Sequence, residues 1–133
     1  MSIQRKATAS VTMNITDDEI FNDERGYTEQ FQERVLDEGR STSLMTLEKA
    51  VGGEVRVELK LNARLESNEN IIVDGIAELY EGVSENSTDL DGRREFGMVV
   101  PKDEIITHNV NIRNDDEGGD HAEITIAISN MEI

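Results

Sequence analysis

Residues 7–16 alternate without a fault. Ala7, Ala9, Val11, Met13 and Ile15 are apolar, and Thr8, Ser10, Thr12, Asn14 and Thr16 between them are polar. Successive side chains of a β-strand point to opposite faces, so this period of two predicts a strand with one buried face. A longer alternation sets Val55, Val57, Leu59, Leu61, Ala63 and Leu65 against Glu54, Arg56, Glu58, Lys60, Asn62, Arg64 and Glu66. After the polar break at residues 67–70 the chain resumes with Ile71, Val73, Ala77 and Leu79 inward. This predicts an antiparallel partner joined by a tight turn.

Weaker alternation predicts strands near residues 27–36, with Tyr27, Phe31 and Val35 on one face, and near residues 42–47 and 95–100. Two more are predicted at residues 104–113 (Ile106, Val110, Ile112) and 121–130 (Ala122, Ile124, Ile126, Ile128). No window of ten or more residues carries a 3.6-residue apolar stripe, although residues 17–25 admit one short helical turn. About eight short strands separated by Gly, Asn and Asp clusters predict an all-β fold, a two-layer antiparallel β-sandwich. A small β-barrel is the alternative. With 133 residues and no internal repeat or linker, residues 1–133 read as a single domain.

Composition narrows the partners. Thirteen Lys and Arg against 29 Asp and Glu give a net charge of −16, which repels phosphate backbones and excludes nucleic acid as a direct partner. The lack of cysteine removes disulfides and thiolate chemistry and leaves the compartment open. No apolar run approaches the ~18 residues of a membrane span, and the polar start has no signal-peptide core, so a soluble protein without a transmembrane segment is expected. The regular apolar placement argues against disorder. Salt adaptation or ligation of a hard cation remains to explain the acids.

Strand parity gives the charge a location. If each strand crosses the sandwich, connections alternate between its ends, and the loops at residues 17–26, 52–53, 84–92 and 114–120 share one end. They carry Asp17, Asp18, Glu19, Asp23, Glu24, Glu85, Asp89, Asp91, Asp115, Asp116, Glu117 and Asp120, which is twelve of the 29 acids, against Arg25 and Lys49. Crowded like charges destabilise a fold unless a cation neutralises them or some carboxyls keep their protons.

Calcium suits such an end because it takes six to eight oxygen ligands from flexible loops. Asp89 and Asp91 stand two residues apart before Gly92, and Asn114, Asp115, Asp116, Glu117 and Asp120 surround a Gly pair. Asp17, Asp18 and Asp23 complete the expected ligand set of Asp17, Asp18, Asp23, Asp89, Asp91, Asn114, Asp115, Asp116 and Asp120. Neither segment has the EF-hand spacing. The layout resembles C2-type and other calcium-dependent β-sandwich modules, in which loops at one end cage the ions; no sequence motif carries the likeness.

Other chemistry is thinner. His108, between Ile106 and Val110, is expected in or near the core, and His121 at the mouth of the acidic end is expected as a surface residue at a strand start. Nucleophile-elbow, zinc-protease, P-loop and dinucleotide motifs are absent. An enzyme would need a concave pocket holding a carboxyl pair or His121. No Trp, two Tyr and three Phe argue against a sugar-stacking platform. Ile72, Ile76 and Tyr80, opposite the expected core face of their strand, mark either a covered strand or a self-association face.

The sequence thus predicts a non-enzymatic β-sandwich that binds calcium (Ca2+), for stability or to bridge a protein, glycan or lipid ligand. The alternative is an acidic, salt-adapted structural or assembly protein without a dedicated metal site. Self-association into a homo-oligomer is compatible with both.

Overall fold

The computed structural model describes residues 3–18, 23–82, 89–115 and 119–133. Among them lie eight strands and no helix: β1 (Gln4–Asp17), β2 (Glu24–Asp37), β3 (Ser41–Val51), β4 (Val55–Leu65), β5 (Ile71–Glu81), β6 (Leu90–Val100), β7 (Ile105–Arg113) and β8 (His121–Met131). Every alternating segment is a strand. Most run beyond their apolar stretch, β6 by five residues, because backbone pairing continues through polar side chains such as Arg93 and Arg94. Where a short helical turn is expected, Asp17 instead ends β1 and Glu24 and Arg25 open β2; residues 19–22 lie outside the described residues.

The strands form two antiparallel sheets of four, ordered β2-β1-β8-β7 and β3-β4-β5-β6. The chain is a meander. β2 passes to the second sheet through residues 38–40, β6 returns through residues 101–104, and β8 comes to lie beside β1. Among the described residues β2 is not hydrogen-bonded to β3, nor β6 to β7, so the meander is a sandwich open at two seams and not a closed barrel.

Register aligns the inward rows. Ala9, Val11 and Met13 face Ile128, Ile126 and Ile124 across β1 and β8, while Leu59 and Ala63 face Ala77 and Val73 across β4 and β5. All are buried. Each large aliphatic among them stabilises the fold by about 1.5–3 kcal/mol on leaving water. His108 points inward between Ile106 and Val110, half-buried, and stacks on Phe96 of β6 with ring centroids 5.1 Å apart across the seam. Ile72, Ile76 and Tyr80 lie half-buried on the outer face of the second sheet, where the Arg56 guanidinium stands 4.4 Å over the Tyr80 ring.

The apolar row of β2 does not face the core. Pairing sets Gly26, Thr28, Gln30, Gln32 and Arg34 opposite the inward row of β1, so Tyr27, Phe31 and Val35 align with its polar outer row and are 54%, 62% and 50% exposed. Edge position explains this: the inward side of β2 covers the rim of the sandwich, where polar side chains reach water.

Both crossovers and the chain termini share the end away from the acid-rich hairpins, and a buried polar network ties them. Asn130 is fully buried, and its Nδ2 donates to the carbonyls of Glu69 (2.7 Å) and Val100 (2.9 Å). Its Oδ1 accepts from Arg5 Nε at 2.9 Å. The Arg5 guanidinium also meets Asp103 and lies 3.7 Å from Glu69, whose other oxygen pairs with Lys102 at 2.7 Å. Asp103 and Glu69 hold positive φ values of 66° and 69° in the turns that bring them there.

Candidate cation-binding end

The four hairpins β1–β2, β3–β4, β5–β6 and β7–β8 meet at one end, as parity requires. Their contacts run in a ring. Asp17 at the end of β1 packs on Gly52 of the β3–β4 turn, Gly82 N donates to Glu54 O (3.2 Å), Asn114 Nδ2 donates to Glu81, and Asp18 N donates to Asp120 Oδ1 (2.7 Å). Gly52 is required twice over: its φ of +68° favours glycine, and a β-carbon there would overlap Oδ2 of Asp17.

The expected ligands divide into two groups. The first holds Asp17, Asp18, Asp23 and Asp120, with Glu24 beside Asp17 at Gly52 and His121 beside Asp18. Asp17 and Asp120 are buried, whereas Asp18 and Asp23 are exposed. The Asp18 carboxyl hydrogen-bonds that of Asp23, and this contact chiefly raises its pKa; the Asp23 charge, burial and Asp120 add to the rise, and His121 opposes it. The crowding of these carboxyls thus disfavours the charged form of Asp18.

The second group holds Asp89, Asp91, Asn114 and Asp115. Asp115 N donates to Asp91 O (2.7 Å), which ties the β7–β8 connection to β6, and Glu81 N donates to Asp89 O (3.1 Å) within the β5–β6 hairpin. Here a cation is already present. Both guanidinium nitrogens of Arg94 reach the Asp115 carboxylate at 3.2 Å, and the hydrogen bond holds Asp115 below its usual range. Asp116 lies outside the described residues. Among the described residues no three acids or histidines converge as a ready-made coordination sphere.

Arg94 and Glu81 are site residues that the sequence reading missed, whereas Glu24 stood among the acids of this end but outside the expected ligand set. Arg94 had a signal: counting back by twos from Val100 through Met98 and Phe96 puts it on the inward face, and only the late start assigned to β6 hid it. Glu81 carried none, because its role depends on the β7–β8 connection coming within reach.

His121 opens β8, as expected, and lines a concavity of about 420 Å³ with Asp23, Arg25, Tyr27 and Glu123. Its Nδ1 lies 2.8 Å from the Gly119 carbonyl oxygen, the position that an orienting carboxylate takes in a hydrolytic triad. Among the described residues no helix is long and apolar enough to cross a membrane. No known family model matches the chain, and no curated protein matches it in sequence.

Proposed function

We propose that the protein is a non-enzymatic β-sandwich module whose hairpin end takes up calcium, with Asp18, Asp23 and Asp120 as the first ligands and Asp17 supporting them from below. The observation that carries this reading is the carboxyl–carboxyl hydrogen bond of Asp18 and Asp23 beside Asp120. Crowding that disfavours the charged form of Asp18 is relieved when a cation takes oxygens from several of these carboxylates at once. The described carboxylates do not converge on one point, so uptake of the ion has to rearrange Asp18 and Asp23; Asp89, Asp91, Asn114, Asp115 and Asp116 are the further candidate ligands. The bound ion then serves as a staple or as a bridge to an acidic or hydroxyl-bearing protein, glycan or lipid group.

Calorimetric titration with calcium and thermal melts in EDTA and in millimolar calcium test it. At a hundredfold excess over Kd the native state gains about 2.7 kcal/mol, which for 133 residues raises Tm by about 10 °C. Asp18→Asn with Asp23→Asn abolishes the heat. No heat and an unmoved Tm overturn the reading.

A second reading, an acidic and salt-adapted structural or assembly protein, is favoured by the Arg94–Asp115 pair. A chain that neutralises its own acids with arginine at the site needs no dedicated ion there. In that case sodium chloride of matched ionic strength stabilises as much as calcium does.

A further inference from the structure

We propose that β2 is a dimerisation edge, pairing antiparallel with β2 of a second copy about a two-fold axis at Glu29, so that the two β2-β1-β8-β7 sheets become one sheet of eight strands. This interface needs no metal, and only its outermost pairs, through Glu24 and Arg25, border the acidic end.

The four edge strands differ in how they are protected. β3 has a register shift between Ser43 and Met45, β6 has one opposite Leu79 and Tyr80, and β7 spans only nine residues. Bulges and brevity are what keep an edge from pairing with another chain. β2 has neither: it pairs with β1 over fourteen residues without a shift, contains no proline, and exposes Tyr27, Phe31 and Val35 along one face.

The charges choose the register. Side chains opposite each other in a sheet share a face, so paired positions must add to an even number. With Glu29 on the axis, Tyr27 meets the partner's Phe31 on both sides, and the partner's Glu33 meets Arg25. Glu24 faces the partner's Arg34 on the other surface. The one like-charged meeting is Glu29 with its own copy. Moving the axis to Gln30 puts Tyr27 against Glu33 and Glu29 against Phe31, moving it to Phe31 sets Glu29 against Glu33 twice, and moving it to Thr28 or Tyr27 leaves Phe31 against Arg25 or Asp23. Only the first arrangement combines aromatic pairs with four opposite-charge pairs.

The antiparallel arrangement also resolves the repulsion between two chains of −16. Asp23 lies six residues from the axis, so the two acid-rich ends stand about 40 Å apart. That is several Debye lengths at physiological salt.

Light scattering on a sizing column and single-cysteine crosslinking test the proposal on the intact chain, which has no cysteine of its own. At about 0.15 M salt and high micromolar protein the expected mass is twice 14.9 kDa, with EDTA making no difference. Arg25→Glu and Glu33→Arg each weaken association about tenfold, and the double variant restores it. Glu29→Cys oxidises to a covalent dimer, whereas Gln30→Cys and Phe31→Cys, diagnostic of the shifted registers, do not. A monomer throughout, a dimer indifferent to both charge reversals, or crosslinking only at position 30 or 31 overturns the proposal. Failure of calcium to bind leaves these readouts untouched.

Discussion

Asn130→Ala removes the centre of the network at the crossover end, and the geometry sets the expected cost. Asn130 is fully exposed to none of the solvent and makes three side-chain hydrogen bonds: two donated to the Glu69 and Val100 carbonyls and one accepted from the Arg5 guanidinium. A neutral hydrogen bond contributes about 1 kcal/mol and one to a charged group about 2 kcal/mol, so the loss is about 4 kcal/mol. Unfolding entropy scales with length, and at 133 residues each kcal/mol moves Tm by about 3.5 °C. Circular-dichroism melts should therefore fall by about 14 °C, with the urea midpoint falling at an unchanged slope. A drop of 3 °C or less would mean that water replaces the amide or that Arg5 finds other partners, and would refute the reasoning.

Two further outcomes follow from local geometry. Asp115 is held below the usual carboxylate range by Arg94, so its contribution to stability is present above its unfolded pKa and lost as pH falls through the lowered value; Arg94→Gln should return the Asp115 titration, read by carboxyl NMR, to the ordinary range. Gly75 sits under the Phe96 ring of the neighbouring strand, where a β-carbon would overlap it, so Gly75→Ala should cost about 1–3 kcal/mol in thermal melts and Phe96→Leu should recover part of that.

Period two exposed the strands because backbone geometry enforces it wherever one face is buried. It could not say which face of an edge strand is inward. In β2 the apolar row Tyr27, Phe31 and Val35 reads like a core row, yet register with β1 turns it to solvent. Alternation also breaks in β3, where Leu44 and Met45 are consecutive and both buried, because the register shift between Ser43 and Met45 places two residues where one is expected. The clustering of acidic hairpins was legible from parity alone, since counting strands fixes the end of each connection. The grouping within that end was not. Which carboxyl meets Asp18 or Arg94 depends on strand order, and the Arg5–Asn130 contact joins residues 125 positions apart that no local pattern links.

The two ends of the sandwich carry different polar chemistry for one topological reason. At the crossover end the chain leaves one sheet for the other at residues 38–40 and 101–104, so backbone groups are taken from their ladders inside a closed region and need side-chain partners. Asn130 and Arg5 supply them: the Asn130 amide satisfies carbonyls of the β4–β5 turn and of β6, its own N–H bonds Glu104 O, and Arg5 Nη2 caps its carbonyl at 3.2 Å. At the other end all four connections are hairpins that return within their own sheet, and pairing of the adjacent strands already satisfies most of the backbone. Loop side chains there make links of a different kind, from Asp120 to Asp18 N, from Asn114 to Glu81 and from Arg94 to Asp115, which join one connection to the next. The crossover end is thus held by a buried amide and guanidinium network, and the hairpin end by carboxylates that meet one another and Arg94.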